Sequence, residues 1–158
     1  MLGRTVSRPI LRSEIPIALG TDSALSAAVD LLDELAVARQ YLPVERLYEM
    51  VSAIPARILR LAPSATAGDW VAVRSNAQAP AQALVEGSIA LVVVRGRIRL
   101  IAPSLARQLP AEFVRGFQPL SIEGRETVLV DADVRKLRRA ASKHLGPTLR
   151  LAGKRILE

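Results

Sequence analysis

The chain has no cysteine and only one histidine, His144, among its 158 residues. Without thiols there is no disulfide framework, no thiolate metal site and no cysteine nucleophile, and the setting expected is a reducing cytoplasm. Aromatic residues make up 3% of the chain, too few for a platform on which single-stranded bases stack. No apolar run approaches the ~20 residues that span a bilayer. Arg12, Ser13 and Glu14 interrupt the early apolar stretch where a signal peptide would carry its hydrophobic region, so neither a membrane span nor a leader is predicted. Also missing are a GxxxxGK[ST] phosphate loop, a GxSxG elbow and an HExxH metal helix.

What is present is aliphatic and basic. Half of the residues are apolar, dominated by Ala, Val, Leu and Ile, which is enough for one ordinary domain or two small ones. The net charge is +7, and the stretch from Asp131 to Glu158 holds eight bases against three acids. Such a basic run is either the solvated face of a helix or a surface for nucleic acid or an acidic neighbour.

The patterning changes along the chain. Glu14 to Gly20 is apolar without alternation and predicts a short buried strand. Ala24 to Gln40 predicts a helix, with Ser23 or Ser26 as cap and Val29, Leu32, Leu35 and Ala36 on the buried face. Pro43 suits the first turn of a second helix with Val44, Leu47, Tyr48, Val51 and Ile54 inward. Pro55 then breaks it and opens a short third helix, Ala56 to Leu61. From Asp69 strands dominate: "DWVAVRS", a hairpin turning at Arg95-Gly96, and a pair turning near Gly124. Asn76 to Glu86 predicts a short helix between the first two. "DADVRKLRRAASKHLG" predicts a helix closed by Gly146, and "TLRLAGKRIL" a last strand.

Four of these stretches, in this order, resemble the C-terminal part of the metal-dependent amidohydrolases. "IPIALGTDSAL" is similar to that family's eighth barrel strand, which ends in an aspartate, here Asp22. "LYEMVSAIPARILRL" resembles its run Asn-Pro-Ala-Lys/Arg-Ile-Leu-Gly-Leu, with Ile54 in place of the usual Asn and Arg60 in place of the usual Gly. "GDWVAVR" resembles its Ala-Asp-Leu-Val-Val strand, and "LVVVRGRIRL" its Val-Asn-Gly-Lys/Arg hairpin. The similarity runs from Ile15 to about Pro103.

The resemblance implies an α/β fold: the last βα unit of a TIM barrel with its trailing helices over residues 1–62, strands of a flanking β-sandwich over 63–105, and a β-rich extension with the basic helix over 106–158. Catalytic groups of such barrels converge at the carboxyl ends of the strands. It therefore implies that Asp22 is a ligand of a divalent metal, zinc first among candidates, and a general base in hydrolysis of C–N bonds in cyclic amides, amidines or amines. Thr21 and Ser23 would shape the turn. Taken from the residues alone, without the flanking matches, the favoured reading is that Asp22 caps the helix that follows.

A catalytic zinc takes about three protein ligands, and the family's histidines and mid-barrel ligand belong to upstream strands. His144, on the basic helix, does not replace them, and Asp30 and Glu34 read as a solvated helix face. The expectation is thus a fragment, inactive alone, whose partner is the missing N-terminal barrel portion; its substrate when whole is a small molecule, with no role for membrane or nucleic acid. The alternative is a non-catalytic β-rich module whose basic helix, Arg135 to Lys143, binds nucleic acid or an acidic partner.

Overall fold

Leu47, Met50, Val51 and Ile54 recur at the three- and four-residue spacing of one helix face, and that face forms a core. In the computed structural model, which describes residues 8–11, 13–21, 30–61, 69–76, 79–151 and 153–157, the chain divides into two compact units. One comprises Met1–Pro63 with Asn76–Glu86, the other Ser64–Ser75 with Gly87–Glu158. The first is helical: α1 (Arg8–Leu11), α2 (Leu31–Ala38), α3 (Val44–Val51), α4 (Ala53–Ile58) and α5 (Pro80–Glu86). Leu35 of α2 and Leu47 of α3 are fully buried beside Met50 and Ile54, with Leu32, Leu42, Val51 and Leu84 packed around them. The stripe on α3 is rotated from the predicted one, because Tyr48 is exposed and Met50 is buried.

Proline punctuation explains the break between α3 and α4. Pro55 has no N–H to give to the carbonyl of Val51, and its ring would collide with that carbonyl in a continuous helix. The chain leaves helical geometry at Ser52 (φ −126°, ψ −90°) and rewinds at Ala53. The third helix therefore begins before Pro55, not after it as the sequence suggested.

Two further expectations are corrected here. Asp30 has extended backbone (φ −144°, ψ 172°) and its carboxylate accepts the N–H groups of Leu32 and Asp33 at 2.9 and 3.0 Å. It is the N-cap of α2, so no single helix runs from Ala24 to Gln40, and Asp30 is not part of a solvated helix face; Ser23 and Ser26 lie outside the described residues. Nor is Glu14–Gly20 a strand: Pro16 to Gly20 belongs to neither helix nor sheet. Ile17 and Leu19 lean on the helical core while Pro16, Ala18 and Gly20 are exposed, and Leu19 donates its N–H to the Met50 carbonyl at 2.9 Å. A buried parallel strand is defined by its neighbours. None flanks this segment among the described residues, and it lies with alternate residues against α3.

Arg60 terminates α4 in the left-handed region, φ 53°. Its N–H reaches the Arg57 carbonyl at 3.2 Å, and the Leu61 N–H reaches that of Ala56 at 2.8 Å. This pair of bonds is the Schellman closure, which normally places glycine where Arg60 stands. An L-residue with a side chain pays roughly 1–2 kcal/mol to hold that conformation. Arg60→Gly is therefore expected to stabilise the helical unit by about 1 kcal/mol, less a few tenths for losing a cation at a helix C-terminus. Native-state hydrogen exchange of the α4 amides checks it; unchanged or faster exchange would contradict it.

The second unit is one antiparallel sheet in the order β1-β2-β3-β5-β4-β7-β6. Its strands are β1 (Trp70–Arg74), β2 (Ser88–Val94), β3 (Arg97–Ile101), β4 (Gln118–Ile122), β5 (Val128–Val130), β6 (Arg150–Leu151) and β7 (Lys154–Leu157). Helices α6 (Pro103–Ala106) and α7 (Val134–Leu145) and a 3₁₀ turn, Ala111–Val114, accompany it. The β2–β3 turn has both central residues at positive φ, Arg95 at 51° and Gly96 at 72°, as a two-residue type I′ hairpin requires. The Asp69 carboxylate accepts the Arg95 N–H across that turn. Ile101 is fully buried, with Val93, Ala102 and Ala106 nearly so. The predicted last strand is a hairpin instead, because Gly153 (φ 70°) turns the chain between β6 and β7.

Candidate functional site

Asp22, the residue singled out for catalysis and metal binding, lies outside the described residues, as does Ser23; Thr21 is exposed. His144 is exposed in the last turn of α7. Among the described residues no three His, Asp or Glu side chains come together to hold a metal ion. Those residues therefore do not supply a zinc site, and no step through a metal can be built from them.

The structure does form a groove that the sequence reading did not contain. It lies between α7 and the β4–β7 part of the sheet, open to solvent, with a volume of about 1020 Å³. Gln118 sets its geometry. Its side-chain oxygen accepts the Arg135 N–H at 3.2 Å and its amide nitrogen reaches Asp133 Oδ1 at 3.4 Å, so the start of α7 is tied to β4. Asp133 itself caps α7, accepting the Lys136 N–H at 2.9 Å. That bond holds its carboxyl below the usual aspartate value. Because Gln118 turns towards α7, Leu120 shares its face, and Ile156 stands opposite Ile122 on β7. Leu120 and Ile156, both half-buried, floor the groove.

The wall is cationic. Arg135, Arg138, Arg139 and Ser142 fall at the three- and four-residue spacing of one helix face, and all four line the groove. Of the apolar residues of α7, Val134 also lines the groove, while Leu137 and Leu145 are 60% and 75% exposed.

β7 is held beside β4 by an ion pair. Arg155 bonds Glu123 through Nε at 3.2 Å and through Nη2 at 2.8 Å, while the Glu123 N–H donates to the Arg155 carbonyl at 2.9 Å. The guanidinium's hydrogen bonds hold the Glu123 carboxyl below its ordinary 4.5. A carboxylate with a depressed pKa stabilises the fold fully above that ordinary value and loses the contribution as pH falls below it. The pair is exposed, so the effect is small.

The edge of β4 beyond β7 is closed by chemistry rather than by a strand. Since Glu123 directs its N–H towards β7, the alternation of an antiparallel strand turns Ser121 and Pro119 the same way. Ser121 pairs with Leu157, and Pro119 has no N–H to offer a further strand. The groove is thus a place for side-chain contacts, not for strand addition.

The sequence signal that could have found the wall was the spacing of the three arginines on α7. The floor had no local signal, since Leu120 and Ile156 are far apart in sequence. Compared with protein-family models, curated proteins and solved structures, the chain matches none.

Proposed function

We propose that this chain is the C-terminal part of a metal-dependent amidohydrolase, contributing the aspartate at the end of the last barrel strand and the strands that flank the barrel. Joined to the upstream strands it would hydrolyse C–N bonds of cyclic amides, amidines or amines. Asp22 would take the proton of the attacking water. The zinc such enzymes use would rest chiefly on donors outside this chain, because the described residues bring no three together.

The observation that carries this reading is the left-handed backbone at Arg60. It falls at the one position of "IPARILRL" where the family resemblance expects glycine, so the backbone keeps the form that the family's glycine serves although the side chain has changed. The hairpin supports it in the same way. Arg95-Gly96 has the two positive φ values for which the family's Asn-Gly is suited, and Asp69, matching the aspartate of Ala-Asp-Leu-Val-Val, binds the turn. Pro16–Gly20, apolar and without strand neighbours among the described residues, is what a barrel strand separated from its sheet would look like. Asp30 as the cap of α2 also supports a role for Asp22 other than capping that helix.

The test is reconstitution. The chain is produced together with the upstream portion of an amidohydrolase barrel, zinc is supplied, and hydrolysis of a panel of cyclic amides and amidines is followed. The expected result is a co-purifying complex with zinc-dependent turnover that neither part shows alone. A complex that binds zinc and turns over equally well without Asp22 would refute the assignment.

A further inference from the structure

We infer that the groove between α7 and the β4–β7 part of the sheet is a docking site for an acidic protein segment carrying apolar side chains. This inference is independent of the hydrolase reading. A helix lying over a sheet ordinarily turns apolar residues towards it. Here Val134 does so only at the start of α7, and Arg135, Arg138, Arg139 and Ser142 line the rest of the gap, above a floor that includes Leu120 and Ile156. The arrangement has two chemistries side by side, a guanidinium wall and an aliphatic floor, and an occupant must answer both.

Carboxylates answer the wall, because the planar guanidinium donates two parallel hydrogen bonds to a carboxylate. Aliphatic side chains answer the floor. A polypeptide with alternating acidic and apolar residues presents the two on opposite sides when extended. The residues of α7 that line the groove run from Val134 to Ser142 and make a wall about 12 Å long, the length of roughly four extended residues. Backbone pairing plays no part, since Pro119 closes the β4 edge. Nucleic acid is the poorer fit: phosphates would satisfy the arginines, but among the described residues Phe117 is the single aromatic lining the groove, and the aliphatic floor of Leu120 and Ile156 gives successive bases nothing to stack on.

Fluorescence anisotropy of a labelled peptide of alternating leucine and glutamate, titrated with the full chain, tests this. Its serine–glutamate counterpart and a duplex DNA of arbitrary sequence serve as competing probes. The leucine–glutamate peptide is expected to bind at least tenfold more tightly than the serine–glutamate one. The pair R135Q with R139Q is expected to weaken it at least tenfold, and Leu120→Ser to weaken it severalfold while leaving the serine–glutamate peptide unaffected. Circular dichroism on each variant establishes that the sheet and α7 are intact. Equal binding of the two peptides would reduce the groove to a charged surface and overturn the inference. So would tighter binding of the DNA that is lost with the same arginines, and so would no binding of the leucine–glutamate peptide to the native chain.

Discussion

Asp22→Asn is expected to lower the turnover of the reconstituted hydrolase by about two to four orders of magnitude, the usual contribution of a positioned general base. Asparagine has the shape of aspartate and its side-chain oxygen still accepts hydrogen bonds, but it takes up no proton at working pH. The same substitution separates the two roles the sequence left open. As a helix N-cap, asparagine is as good as aspartate, so a capping Asp22 would tolerate it with neither folding nor activity changed. Thr21→Ala and Ser23→Ala, which touch the turn without removing a base, are expected to lower turnover less than tenfold. Steady-state rates for the three variants in the same complex decide the matter, and equal losses across all three would point to a disrupted turn.

Leu47→Ala is expected to be the most damaging single change in the helical unit. Leu47 is fully buried, and truncating a buried leucine costs about 2–5 kcal/mol through lost transfer energy and the cavity left behind. Its neighbours in the core are few: Leu35, Met50 and Ile54 are the other buried members. A loss near 3 kcal/mol is a large share of the ~5–15 kcal/mol by which whole domains are stable. Tyr48→Ala, one residue along but 39% exposed, is expected to cost about 1 kcal/mol or less. Hydrogen exchange of the α2 and α3 amides is the suitable measure, because a chain with two units need not unfold in one step. Similar acceleration by both substitutions would show that the stripe centred on Leu47 is not the core.

Local chemistry was legible in the sequence, and non-local chemistry was not. The turns at Arg95-Gly96 and Gly124, the Asp133–Gly146 boundaries of α7 and the helix Pro80–Glu86 follow from residues that set their own backbone conformation. The segment Pro16–Gly20 misled because an apolar run declares only that it will be covered. What covers it, neighbouring strands or a helix such as α3, is decided elsewhere in the chain. The periodicity that continues through Asp30 suggests a helix-face charge, whereas its side chain bonds the backbone N–H groups ahead of it and starts the helix there. The groove escaped because its wall and floor come from α7, β4 and β7, which only the sheet order brings together. The expected mixed α/β character was correct at that coarse level; the sheet observed is open and antiparallel.

The placement of α5 has a practical consequence. It joins the helical core through Leu84, yet in sequence it is the link between β1 and β2, which pair with each other from Trp70↔Val93 to Arg74↔Ser88. No single cleavage therefore yields two intact halves. A fragment ending at Pro63 lacks one wall of its interior, and one starting at Ser64 carries an orphaned apolar helix on a loop, so dissection of this polypeptide calls for replacing residues 76–86 with a short flexible bridge rather than for truncation.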